Sequence, residues 1–299
     1  MNKGQERYVY CIIPRPPLSS FSFLGIGDKP VTLVPYENLA AVVSESPLHH
    51  YPVNRDHTLK HEWVIEQVMQ CYTVLPVRFG TVAASEEDIR VKLLRRHFGS
   101  LHGMLKRLDN KVELDVKAFW DRQRIFPALL GDDPELRLFR DVLAGGSQAE
   151  TRYGRIQLGQ MVEQALTARR SRDNAHILET LRPLAHEVRE SAFTDEMMVL
   201  NAAFLVDRRR ESVFDARMRA LDDECGGLVH FRCVGLLPPF SFASLAISWD
   251  EADLAAQGLD QDGPALISEA EVFGRGIDRE DRANTVPFPL TGSRGGSED

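Results

Sequence analysis

The stretch KVELDVKAFW, residues 111–120, alternates charged and apolar side chains from Lys111 through Ala118. On an extended chain Val112, Leu114, Val116 and Ala118 fall on one side, and Lys111, Glu113, Asp115 and Lys117 on the other. That period fits a sheet with one covered face and one wet face, and no helix sustains it. The same period returns in LVHFRCV, where Val229, Phe231 and Cys233 oppose His230 and Arg232. Two further runs, RYVYCII at residues 7–13 and MMVLNAAFLV at residues 197–206, are apolar on both sides and read as strands covered on both faces.

Helical periods interleave with these strands. RDHTLKHEWVIEQVMQCY carries Trp63, Val64, Val68 and Cys71 at helical spacing. SEEDIRVKLLRRHFGSLHGMLKRLD reads as one helix opened by a capping box of Ser85 and Asp88. In the second half, two helical segments are separated by polar residues 171–173, and Pro183 marks a kink or a boundary. A helix in RRESVFDARMRALDDECGG ends at Gly226 and Gly227. VTLVPYENLAAVVSES reads as two short strands around a turn at residues 35–38. The preceding PRPPLSSFSFLGIGDKP reads as a surface loop whose Phe21, Phe23, Leu24 and Ile26 pack down. Strands and helices mixed in this way give an α+β protein, with two consecutive domains of the β-α-β-β-α-β kind. The boundaries fall at residues 1–110 and 111–249, followed by a flexible acidic tail at residues 250–299.

Charge supports setting the tail apart. The chain has 299 residues and a net charge of −8. The segment from Asp250 onward carries 12 acidic residues against 4 arginines, so it accounts for the whole excess. A neutral body without a concentrated basic face makes nucleic acid an unexpected partner. No apolar run approaches the ~20 residues of a membrane helix. The N-terminus lacks the pattern of a signal peptide, and the expected location is cytoplasmic. Cys11, Cys71, Cys225 and Cys233 form no C-x-x-C pair, which fits reduced, partly buried thiols.

Candidate chemistry is sparse. His57 and His61 sit four apart on one helix, a spacing that zinc sites use, but the pattern is not H-E-x-x-H and no third ligand is fixed. A partly exposed, hydrogen-bonded pair is the simpler reading. Glu113 and Asp115 share a strand face, yet their lysine neighbours make cross-strand ion pairing the simpler role. DRRRES at residues 207–212 could hold an anion at a helix N-terminus, or be solvated. Asn201, alone in an apolar strand, reads as a satisfied structural amide. Phosphate-loop, dinucleotide, nucleophile-elbow and zinc-protease motifs do not occur. The residues therefore assign no catalytic group, no cofactor and no metal, and no enzyme is expected.

VLPVRFGTV, residues 74–82, is the most suggestive stretch. As a strand it puts Leu75, Val77 and Phe79 on one face and Pro76, Arg78 and Gly80 on the other. Pro76 cannot donate to a ladder, so the strand belongs at an edge or a bulge. An edge with an exposed cation is guarded against indiscriminate pairing and open to a chosen partner. Arg78 and Phe79 thus point to an interaction surface.

Four segments in this order resemble the gas vesicle accessory proteins of the F/L type. They are ENLAAVVSESP, then VLPVRFGTV with its preceding helix, then KVELDVKAFWD, and NAAFLVDRRRESVFD leading to LLPPFSF. Where the family typically has Gly-Pro before the paired prolines, this chain has Leu236 and Leu237. The resemblance implies two α+β domains, the C-terminal one ferredoxin-like. It also implies a minor structural component or assembly factor of gas vesicles that contacts the hydrophobic shell protein and other accessory proteins. PPFSFASL is the second candidate contact, with Phe240 and Phe242 on one strand face stiffened by Pro238 and Pro239; a turn with two core phenylalanines is the plainer reading. The alternative function is a ferredoxin-like ligand- or metal-binding regulator or enzyme using His57, His61 and Arg208 to Arg210.

Overall fold

The computed structural model describes residues 5–17, 19–145, 152–243, 245, 247 and 249. Two antiparallel sheets carry the fold. The first is built from β1 (Arg7–Pro14), β2 (Ser20–Leu24), β3 (Pro30–Tyr36), β4 (Leu39–Glu45), β5 (Leu75–Pro76) and β6 (Val82–Ala83). Its order is β2-β3-β4-β1-β5, with β6 also paired to β1. β1 is central, as its two-sided apolar run predicts. β2 lies within the stretch read as a loop: Phe21 and Phe23 stack at 5.1 Å and pack against the core, which favours an extended chain there.

Each face of the first sheet is covered by helix. On one face α1 (Arg55–Met69) packs Val64, Ile65 and Val68 onto Tyr8, Tyr10 and Ile13. On the other, the segment read as one helix is divided into α2 (Glu86–Asp88), a π-helical stretch Ile89–Arg95 and α3 (Phe98–Leu108). Ser85 caps it as expected, its Oγ accepting from the Asp88 amide at 3.1 Å. The break at His97, where the backbone leaves helical geometry, lets Leu93, Leu94, Leu101 and Leu105 all reach one core.

The second sheet has the order β10-β7-β9-β8, from β7 (Lys111–Trp120), β8 (Glu187–Glu190), β9 (Met198–Asp207) and β10 (Val229–Leu237). Helices α4 (Arg122–Asp132), α5 (Pro134–Ala144) and α6 (Arg152–Leu181) lie between β7 and β8, and α7 (Glu211–Cys225) lies between β9 and β10. This is the β-α-β-β-α-β, ferredoxin-like arrangement with three helices in place of the first. Residues 171–173 do not interrupt α6. Asp173 is tied into the helix by Arg169 and accepts from the Trp120 indole at 2.8 Å. Pro183 lies just past the helix end, and Gly226, at φ +56, ends α7 in the left-handed conformation.

β9 shows why its sequence is apolar on both sides. Leu200, Ala202, Phe204 and Val206 face the helices of the second sheet, while Ala203 and Leu205 belong to the core of the first.

Candidate interaction surface

β5 is only two residues long and sits at the end of the first sheet, with Pro76 opposite Cys11. The edge is not free, however. Val77 bridges Leu245, the Arg78 amide donates to the Leu245 carbonyl at 3.0 Å, and the Leu245 amide donates to Pro76 at 3.0 Å. The chain's own C-terminal stretch occupies the edge that the sequence left open. This corrects the reading of a continuous strand through residue 79. Leu75 and Val77 enter one core, whereas Phe79 lies in a turn and packs on the opposite cluster. Arg78 is solvent-exposed, as expected of the wet side.

A closed hydrogen-bond chain positions that turn. Tyr8 Oη lies 3.0 Å from His61 Nδ1 and accepts from the Gly80 amide at 3.0 Å, and His61 Nε2 lies 3.1 Å from the Val77 carbonyl. Tyr10, Tyr51 and Phe79 crowd the same two rings. Burial pushes the His61 pKa down to about 4, and the Val77 carbonyl only partly opposes it. The expectation of a partly exposed histidine pair is corrected: His61 is buried, and His57 turns instead to Asn54 and the Tyr51 ring.

The second candidate segment, residues 238–243, is a turn rather than a strand. The Phe240, Phe242 and Ala243 amides donate back to Pro238 or Pro239. Phe240 and Phe242 therefore do not share a face. Phe242 is 2% exposed in the core shared with Leu75 and Leu205, while Phe240 is half-buried against the opposite core, the one under α1. Pro238 and Pro239 are buried as well. Glu113, read as a wet-face carboxylate, is the anchor of this turn. It is fully buried and accepts from the Ser241 amide and from Ser241 Oγ, each at 2.7 Å. Arg107 adds a 2.9 Å bond to the Phe242 carbonyl, and Arg189 binds the Ser241 carbonyl and lies over the Phe242 ring. A covered position for Glu113 was implicit in β9: its partner across the ladder is Leu205, one of the residues that make β9 apolar on both sides.

The structure thus brings residues 75–79 together with 238–243 and 245, but in a clasp internal to the chain. An open edge among the described residues lies elsewhere. β10 ends the second sheet; His230, Arg232, Cys233, Val234 and Gly235 are exposed, and no strand among the described residues pairs with its outer side. The Arg232 guanidinium lies over the Phe119 ring on the sheet face at 5.2 Å.

Of the other polar candidates, Arg208 and Asn201 have structural partners. Arg208 donates to the Met69 carbonyl at 3.0 Å, and Asp207 caps the following turn, occupying the position an anion would take. Asn201 donates to the Ala192 carbonyl, a satisfied amide as expected. Residues 89–108 hold six cations and no acidic residue, and three of the six, Arg90, Lys92 and Arg107, are ion-paired to Glu87, Asp88 and Glu187.

Comparison with known proteins now decides the family. The profile described as "Gas vesicle synthesis protein GvpL/GvpF" matches residues 6–244. The chain belongs to the GvpL/GvpF family. A gas vesicle protein F of Dolichospermum flosaquae is 30% identical over 240 residues, which is 80% of this chain and 97% of the relative. One from a Streptomyces species is 34% identical over 222 residues, covering 73% and 90% respectively. The crystal structure of GvpF from Anabaena superposes with a TM-score of 0.74 at 28% identity, covering 82% of this chain and all of that one. That of GvpF from Microcystis aeruginosa gives 0.66, also at 28% identity, over 80% and 99%. The GvpL/GvpF match ends before residue 250, so the acidic segment lies outside it. No helix among the described residues is long and apolar enough to cross a membrane.

Proposed function

We propose that this chain is an accessory factor of gas vesicle assembly. In this reading it binds the apolar shell protein during nucleation, together with other accessory proteins, and limits shell-protein aggregation. It would act at the gas vesicle and in the surrounding cytoplasm. Family membership across nearly the full length of the relatives carries the reading.

The exposed β10 edge supports a mode of contact. An edge strand leaves alternate backbone donors and acceptors unpaired, and another chain can add to it. β10 offers nine residues of such an edge, with Val234 39% exposed in the middle. Arg78, exposed beside the clasp, is the second contact to test.

The experiment is co-expression with the shell protein, followed by flotation of vesicles and pull-down from the soluble fraction. Retention in washed vesicles at a low fixed ratio identifies a minor structural component. Capture of soluble shell protein alone identifies a transient factor, and absence of both overturns the reading. A charge on the edge, Val234→Lys, is expected to reduce shell-protein capture severalfold with the fold intact. Arg78→Glu should weaken it too. Normal binding by both variants removes these surfaces from the interface.

A further inference from the structure

We propose that the exposed face of the helical layer at residues 89–108 is the docking surface for the chain's own acidic segment, residues 250–299. Both poles of the molecule's charge are then explained by each other. Arg90 and Lys92 are answered locally by Glu87 and Asp88, and Arg107 by Glu187. Arg95, Arg96 and Lys106 are exposed and have no acidic partner among the described residues. Beside them His97 has its pKa lowered, first by burial and then by the neighbouring Arg96 charge.

Shape permits a chain to lie there. Gly99 and Gly103 stand one turn apart on α3, and a Cβ at either would meet no atom within 4 Å. Val91, 41% exposed, offers apolar surface on the same stretch. The acidic segment has matching chemistry: Asp250, Glu251 and Asp253 at its start, and Leu266 and Phe273 bracketing Glu269 and Glu271.

Position argues for this surface over others. The described chain ends at Trp249, which packs with Ile247 against the core that Ile89, Leu93, Leu101 and Leu105 cover. The segment is thus tethered to the core that this layer covers, which sets a roughly millimolar effective concentration for docking on it. Several weak, exposed ion pairs suffice under that condition, and salt should release them. The segment also lies beyond the region matched by the family profile, residues 6–244. The inference is independent of shell-protein binding.

Zero-length carbodiimide coupling of the full chain joins lysine amines to carboxylates that touch them. Lys29, Lys60, Lys111 and Lys117 serve as internal controls. We expect peptides from residues 250–299 joined to Lys92 and Lys106 severalfold more often than to the controls. They should appear in the monomer fraction, persist on dilution and disappear at high salt. The R95E/R96E double variant keeps both lysines and alters only exposed side chains, so its fold is checked by circular dichroism. Its coupling should fall severalfold. Even coupling to all lysines, coupling only between chains, no coupling, or no change in the variant overturns the proposal. Nucleic acid bound to this face and released by R95E/R96E would overturn it as well.

Discussion

The hydrogen-bond chain through Tyr8 and His61 has one proton arrangement that satisfies every member. The Gly80 amide donates to Tyr8 Oη, Tyr8 donates to His61 Nδ1, and His61 Nε2 donates to the Val77 carbonyl. Burial disfavours a second proton on the ring, so the folded state holds His61 neutral. In the unfolded chain it titrates near 6.5, in the folded one near 4. Between these values the unfolded state binds more protons, so stability falls as pH falls. This one group should remove about 2 kcal/mol by pH 5 and about 3 kcal/mol by pH 4, with no effect above pH 7. Denaturant titrations across that range test it, because His61→Phe should begin less stable at pH 7 and lack this component of the decline. Glu113 makes the opposite point about reading residues singly. Its alternation pattern put it on the face opposite Leu114 and Val116, but contact with distant Ser241 and Leu205 makes that face dry where it was read as wet. Glu113→Gln, keeping the shape and removing the charge, should cost about 2 kcal/mol in equilibrium unfolding.

Among the elements, those legible in the sequence are those fixed by local period. β1, β7, β9, α1 and the end of α7 follow directly from alternation, helical spacing and the paired glycines. Those misread are fixed by distant partners. Residues 74–82 have strand composition, yet β5 stops at Pro76 and the chain turns at residues 79–80 before pairing with β1 again as β6. Residues 238–243 look like a strand with an aromatic face and are a turn, held by Glu113, Arg107 and Arg189 from three other elements. The helix break at His97 carries no glycine or proline to announce it. Phe242 tests the clasp as an element. Phe242→Ala should cost about 3–5 kcal/mol, as for a large buried aromatic. It should also speed hydrogen exchange at the Arg78 and Leu245 amides, and unchanged exchange would mean that the edge pairing stands without it.

At the scale of the whole molecule, the two sheets share a core. Ala203 and Leu205 from β9 and Phe242 from the clasp lie with Val9, Leu75 and Leu101 of the first half. A division into units at residue 110 would therefore cut through packed side chains. We expect one calorimetric unfolding transition for the full chain and two for Phe242→Ala, whose clasp no longer joins the halves. A single transition in both would show that the β9 contacts suffice. Architecture of this kind was legible as two α+β halves, because each half has its own periodic strands. Their union was not, since it rests on side chains that look ordinary in sequence.

The bridge between Val77 and Leu245 also orders events in time. The strand end that needs covering leaves the ribosome about 170 residues before the segment that covers it, a lag of roughly ten to thirty seconds at common rates of synthesis. Throughout that interval the nascent first sheet offers an unpaired edge to whatever is near. A message truncated shortly before the codon for residue 245 would make that interval permanent.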